Sequence, residues 1–261
     1  MSFDGSMKSF FDENGYLVVE RLLSADDLDP IRRRVEEIVA DPARAPAGVE
    51  VGRESDTLDK SAARARAGAP VAGLRGPASD SLRKLGSIAR FDPAFQVLAT
   101  NPRLLLVVRG LIGPRVKLFR DQMLLKPPGG QDKPTHQDQS YFRIEPADAL
   151  ITAWIALDDA TLDNGCMRYV PTSHRYGLFQ MELDPERPVH HLPKTSHLSL
   201  PAEVACPVPA GSVIFHHGFT LHRSGVNHTT TWRRAVIFHY AAAEARSQSA
   251  QLNAETSLQI D

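Results

Sequence analysis

The stretch "PAGSVIFHHGFTLHRSGVNHTTTWRRAVIFHY", residues 209 to 240, decides the class of fold. A Pro-Ala-Gly turn leads into a β-branched and aromatic run. A polar loop follows, and then a second run of the same kind. No helical pattern separates the two runs, so they read as neighbouring antiparallel strands rather than as parts of a βαβ unit. The same reading extends upstream to "VKLFRDQMLLK" from Val116, "ALITAWIALDDA" and "CMRYVPT", divided by Pro-Gly, Asp-Asn-Gly and Ala-Gly turn signals. Strands at this spacing with no helices between them predict an antiparallel sandwich or barrel over about 116–243.

Before Val116 the pattern is helical support. "GYLVVERLL" (15–23) predicts a short strand. "SADDLDPIRRRVEEIVA" (24–40) predicts a helix with Ser24 as N-cap, acidic residues at its positive end, and Leu28, Ile31, Val35 and Ile38 at helical spacing. "DPAFQVLATNPRLLLVVRGLIG" (92–113) predicts helices broken at Asn101-Pro102. The segment 41–82 is rich in Ala, Gly, Pro, Arg and Ser and lacks periodicity, so it reads as a lid. The Pro- and His-rich 175–205 reads as a lid insertion, and the tail after 241 is polar and uninformative. The expectation is a single domain over 1–261, with helical support and lid in about 1–115.

At 42% hydrophobic and 23% charged residues, the composition is that of an ordinary globular protein. A net charge of −1 provides no field that would attract nucleic acid or an anionic membrane. Cys166 and Cys206 make no disulfide framework and suit a reducing compartment. No apolar run spans a bilayer, and the start lacks the pattern of a secretory signal. These features predict a cytoplasmic soluble protein.

In "KPTHQDQSYF" (134–143), His136 and Asp138 stand two positions apart. On a strand both would point to one face with Gln137 turned away, as two metal ligands would. Polar clustering in a loop is the bland alternative, and the spacing alone is weak evidence. A third ligand must come from elsewhere. His222 ends one strand, and His216 and His217 precede it on opposite faces, so composition alone leaves the choice open. Arg233 begins the next strand, and a hairpin of the two would bring His222 and Arg233 to a common interior. A buried guanidinium needs a carboxylate partner, and Ser224 offers a further donor. Arg234 is expected to point outward, and His190, His191 and His197 to be solvated loop residues.

With "HQD" (136–138), "AWIALDDATLDNGCMRYVPTSH" (153–174), "HRSGVNHTTTWR" (222–233) and "GYLVVERLLS" (15–24) in this order, the chain resembles the phytanoyl-CoA dioxygenase family of Fe(II)/2-oxoglutarate oxygenases. The resemblance covers the whole chain, most weakly across 41–82 and 175–205. It implies a mainly β fold with flanking helices, a double-stranded β-helix of the jelly-roll or cupin type. It implies iron ligation by His136, Asp138 and His222. It places Arg233 and Ser224 on the distal carboxylate of 2-oxoglutarate, with Trp154, Met123 and Lys84 as further co-substrate contacts. Gln139, Tyr141 and Phe179 are the candidate substrate contacts. Asn164-Gly165 is expected to form a tight turn, and "PTSH" (171–174) a structural marker. The implied reaction uses dioxygen to hydroxylate a C–H bond and releases succinate and carbon dioxide. The carboxylate of Asp138 disfavours halogenation, since related halogenases leave that position empty. Two other classes stay open: a metal-binding cupin-like isomerase or hydrolase, and a non-catalytic 2-oxoglutarate-binding relative.

Overall fold

A computed structural model describes residues 3–54, 81–183 and 191–260. Its first part runs α1 (Gly5–Asn14), β1 (Tyr16–Val19), α2 (Ala25–Ala40), β2 (Glu50–Arg53), β3 (Leu82–Gly86), α3 (Pro93–Ala99) and α4 (Pro102–Ile112). There follow β4 (Val116–Lys126), β5 (Lys133–His136), α5 (Gln139–Phe142), β6 (Ile144–Glu145), β7 (Leu150–Ala156), β8 (Met167–Tyr169), β9 (Met181–Leu183) and β10 (His191–Pro193). The last part holds β11 (Val204–Cys206), β12 (Val213–His217), β13 (His222–Ser224), β14 (Arg233–Ala242), β15 (Arg246–Ser247), α6 (Ala250–Ala254) and β16 (Leu258–Ile260).

Two antiparallel sheets carry the architecture. The larger has eight strands in the order β1-β12-β7-β14-β4-β3-β2, with β16 also on β4. The smaller has four, in the order β11-β8-β13-β5. This is the jelly-roll arrangement, with the sheets left open at their edges. The larger sheet takes strands from outside 116–243: β1 extends it beside β12, and β3 and β16 share the free edge of β4.

Alternation along the central strands sorts the side chains. On β7, Ile151, Ala153 and Ile155 join one hydrophobic cluster, while Trp154 and Ala156 join another. The first cluster is the outer face of the larger sheet, covered by α2, α3 and α4, which contribute Leu28, Ile31, Val35, Ile38, Phe95 and Leu104. Each such burial contributes roughly 1.5–3 kcal/mol relative to exposure. A capping box between Ser24 and Asp27 starts α2. Asp92 and Asn101 cap α3 and α4, each just before a proline at the first helical position, which explains the break between them. The second cluster is the inner face, directed toward the smaller sheet.

Three expectations need correction. His222 and Arg233 do not lie on one hairpin: β13 belongs to the smaller sheet, paired with β5 and β8, while β14 lies between β4 and β7 in the larger. The loop between them crosses from one sheet to the other. The tail is not featureless, because Leu258–Ile260 returns to pair with Val116–Leu118. Of the segment 41–82, residues 50–53 and 82 are strand, while 55–80 lie outside the described residues. Helix α1, capped by Asp4, has no counterpart in the sequence reading.

Candidate active site

His136 and His222 stand directly opposite each other across the β5–β13 ladder, with ring centroids 4.2 Å apart. Asp138 reaches them by a different route from the one expected. Strand β5 ends at His136, and Asp138 has helical dihedrals (φ −62°, ψ −36°) at the start of α5. A strand that turns into a helix, rather than strand alternation, brings the carboxylate beside the imidazole. Gln137 is buried and pins this turn, donating to the carbonyls of Gly177 and Phe219 and accepting from the Phe179 N–H.

The hydrogen bonds set the tautomers. His136 Nδ1 lies 2.8 Å from the Pro134 carbonyl, and His222 Nδ1 lies 2.9 Å from that of Thr220. A carbonyl only accepts, so both Nδ1 atoms carry protons and both Nε2 lone pairs are free. Those Nε2 atoms lie 3.9 and 3.7 Å from Asp138 Oδ1. One donor atom from each of the three residues falls within 4.8 Å of the others, and all three residues are buried. The other oxygen, Oδ2, is held from behind: Thr152 Oγ1 donates at 2.5 Å and His216 Nε2 at 3.0 Å. The Thr152 proton goes to the carboxylate, so His239 Nδ1 donates to Thr152 Oγ1 at 2.8 Å. Likewise Tyr169 OH donates to His216 Nδ1 at 3.2 Å. Burial alone would raise the Asp138 pKa, but the surrounding imidazoles of His222, His216 and His239 hold it well below the usual carboxylate range. Burial lowers His136, and the neighbouring His222 and Lys133 add to the effect.

This cluster opens into a cavity of about 810 Å³ between the two sheets. At its inner end Arg233 is 1% exposed, and its Nε and Nη1 have no hydrogen-bond partner. Its guanidinium lies 5.4 Å from the centre of the Trp154 ring. Burial and the nearby Arg83 bring the Arg233 pKa down to about 10, so it remains a cation at neutral pH. Among the described residues it pairs with no acid. An unpaired buried guanidinium is costly, and a carboxylate entering the cavity would satisfy it. Ser224 Oγ accepts from Lys126 Nζ at 3.0 Å, which leaves its own hydroxyl proton to donate.

Several expected contacts fall elsewhere. Met123 is fully buried in the outer-face cluster, and the residues of β4 that border the cavity are Gln122, Leu124, Leu125 and Lys126. Lys84 lines the cavity but is ion-paired to Glu50 at 2.9 Å. Gln139 is spent on the backbone of Ile144 and Ala147. Phe179 lies against Tyr176 and does not line the cavity. Tyr141 does, at the mouth, 52% exposed and 5.8 Å from the His136 ring. His217 faces away from the cavity toward Asp148, at 3.3 Å. Arg234 pairs with Asp158 and Glu36 outside it. His190 lies outside the described residues. Asn164 caps its turn through Thr161 and Asp159, and Gly165 adopts φ +82° where a Cβ would meet the Gly225 carbonyl at 2.3 Å. In "PTSH", Ser173 accepts the Leu221 N–H, a structural bond. The sequence reading missed Thr152, Lys126, His239 and the inward role of His216. All four lie at inward positions of their strands, so alternation counted from Trp154 and Arg233 would have found them once the strand pairing was known.

A model of the phytanoyl-CoA dioxygenase family matches residues 11–235. Among curated relatives, phytanoyl-CoA dioxygenase domain-containing protein 1 of Bos taurus is 29% identical, covering 89% of this chain and 88% of the relative. Solved structures share the fold. The epimerase SnoN in complex with Fe3+, alpha ketoglutarate and nogalamycin RO superposes with a TM-score of 0.71 at 24% identity, covering 95% of this chain and 88% of SnoN. EctD from S. alaskensis with 2-oxoglutarate and 5-hydroxyectoine gives 0.69 at 23%, covering 94% and 78%.

Proposed function

The chain belongs to the phytanoyl-CoA dioxygenase family, and on that premise we propose that it is an Fe(II)- and 2-oxoglutarate-dependent oxygenase that hydroxylates a C–H bond of a small molecule. The observation that carries this reading is a pairing within one cavity. Two imidazole lone pairs and a carboxylate oxygen converge at one place, and a buried guanidinium with no acid partner among the described residues stands at another. Neutral nitrogens and one carboxylate suit iron, and two histidines with one carboxylate occupy one face of an octahedron and leave the opposite face open.

His136 Nε2, His222 Nε2 and Asp138 Oδ1 would hold the metal, and Arg233 with the Ser224 hydroxyl would hold the distal carboxylate of 2-oxoglutarate. Bound together, iron and 2-oxoglutarate supply oxidation by dioxygen coupled to release of succinate and carbon dioxide. The chain orients and excludes water. Thr152 and His216 fix the Asp138 carboxylate, so that Oδ1 alone faces the two imidazoles. Trp154 stacks against the Arg233 guanidinium and closes the inner end, while Tyr141 borders the mouth through which a substrate enters. Both cysteines are unpaired, as suits a reducing compartment such as the cytoplasm, and no single helix among the described residues is long and apolar enough to cross a membrane.

Anaerobic addition of Fe(II) and 2-oxoglutarate tests the reading: a visible charge-transfer band that requires both is expected. Succinate release on admitting oxygen, stimulated by substrate, distinguishes an oxygenase from a binding relative or an isomerase. A product with one added oxygen atom, carried as a hydroxyl at a former C–H bond, establishes hydroxylation, whereas a product of unchanged mass would indicate epimerisation, the activity for which SnoN is named.

A further inference from the structure

Lys126 is the cation that neither the family resemblance nor the proposed reaction uses. It ends β4 directly opposite Arg233 of β14. Both of these basic side chains are buried, at 5% and 1% exposure, and two like charges facing each other across an antiparallel pair would be destabilising. Among the described residues neither makes an ion pair, so the fold holds two adjacent basic side chains with no acid within ion-pairing distance of either. We propose that Lys126 is the second half of the carboxylate pocket, and that it and Arg233 together take the distal carboxylate of 2-oxoglutarate. The proposal rests on the reading of this cavity as a 2-oxoglutarate site.

The local geometry supports a side chain built for this place. Lys126 Nζ donates to Ser224 Oγ at 3.0 Å and to the Gly225 carbonyl. A Cβ on Gly165 would come within 3.1 Å of the same nitrogen, so the turn packs closely against it. The amine therefore sits between the Asn164-Gly165 turn and the end of β13, at the wall of the cavity. A neutral amine has two N–H groups, and both are used by these acceptors. The remaining lone pair has no partner among the described residues, and an ammonium would present a third N–H there.

The charges facing Lys126 come from several elements. Arg233 of β14 and Arg83 of β3 oppose its protonation, while Asp132 after β4 and Glu54 after β2 favour it; buried Cys166 lies nearby before β8. Burial dominates, and with the two arginines it brings the Lys126 pKa down to about 6. In the ligand-free site Lys126 is consequently an uncharged amine at neutral pH. An entering carboxylate removes that penalty and returns the pKa toward the ordinary lysine range of about 10.4. The Nζ lone pair then takes one proton from solvent, forming one N–H bond and leaving an ammonium against the carboxylate. Below pH 6 the proton is already present, so the uptake on binding vanishes there.

Calorimetry on the anaerobic Fe(II)-loaded protein at about pH 7.5, in two buffers of different ionisation enthalpy, measures this directly. Binding of 2-oxoglutarate is expected to take up about one proton, given the pKa values above. Binding of 2-oxobutyrate, which has the keto-acid end but no distal carboxylate, should take up none. In Lys126→Met the uptake should disappear and 2-oxoglutarate affinity should fall about tenfold or more, the usual cost of a lost hydrogen bond to a charged group. Affinity for 2-oxobutyrate should stay as it was, and Lys126→Gln gives the same comparison should the methionine variant not fold. Uptake that persists in the variants, or wild-type protein that binds 2-oxoglutarate tightly without uptake, overturns the role of Lys126 alone. Wild-type protein that binds neither keto acid with iron overturns the underlying reading as well.

Discussion

Replacing Thr152 with valine tests how the chain holds its metal-binding carboxylate. Valine keeps the branched shape within β7, and the hydroxyl that lies 2.5 Å from Asp138 Oδ2 and 2.8 Å from His239 Nδ1 is lost. Oδ2 then keeps one hydrogen bond, from His216 Nε2 at 3.0 Å, with His239 Nδ1 beyond it at 3.6 Å, and the carboxylate is held less firmly. A hydrogen bond to a charged group contributes about 1.5–3 kcal/mol, and each ~1.4 kcal/mol is tenfold in affinity. Metal affinity should therefore fall about tenfold to a hundredfold, the range found when residues behind metal ligands are removed. The variant also takes from the buried His239 Nδ1–H its acceptor at 2.8 Å and leaves Asp138 Oδ2 at 3.6 Å as the nearest alternative, which should cost the metal-free protein up to about 1–3 kcal/mol of stability. Chelator competition for Co(II) or anaerobic Fe(II) measures the first quantity, and urea unfolding of the metal-free protein measures the second. Thr152→Ser, which retains the hydroxyl, should recover most of both. A folded Thr152→Val protein whose metal affinity stays within about twofold of wild type would refute the reasoning, because something other than this hydroxyl would then be aiming the carboxylate.

Arg233→Met should weaken 2-oxoglutarate binding at least about a hundredfold while stabilising the metal-free protein by about 1–4 kcal/mol, since a buried unpaired charge is exchanged for a packed apolar chain. Thermal melts and ligand titration should thus move in opposite directions, and a loss of both together would mean that Arg233 is a structural residue. Met123→Leu should leave co-substrate affinity unchanged and alter stability by less than about 1.5 kcal/mol, as a volume-conserving core exchange does; a marked affinity loss would place that side chain at the cavity. For the pH dependence, burial lowers His216, His217 and His239 to about 4 in the folded protein, below the ordinary value of about 6.5. The unfolded chain binds these protons first as the pH falls, so the stabilisation is complete above pH 6.5 and is lost progressively down to about 4. The slope is at most about 1.4 kcal/mol per pH unit for each histidine. Melting temperatures of the metal-free protein should drop across that window, and a flat profile between pH 6.5 and 4.5 would contradict it.

Much of this molecule is legible in local sequence, and the reason is that local physics acts over a few residues. The caps at Ser24, Asp92 and Asn101 mark helix starts through bonds to their immediate neighbours, and β4 spans the whole of "VKLFRDQMLLK". The order of the four family motifs names His136, Asp138 and His222 together. Alternation also states which side chains of one strand share a face: Arg233 with Ile237 and His239, or Thr152 with Trp154. What it leaves open is which strand lies alongside. Sheet partnership is set by contacts between residues far apart in the chain, so local pattern could not show that β13 and β14 belong to different sheets. The family resemblance places Met123 at the co-substrate, whereas strand pairing turns its face of β4 to the helices. The turn from strand to helix at Asp138, the grip of Thr152 on its carboxylate and the meeting of Lys126 with Arg233 all exist only after the sheets have closed over a common interior. The types of side chain available for chemistry are thus written in the linear order. Their neighbours, and hence their protonation and their use, follow from burial and long-range pairing, which only the tertiary structure supplies.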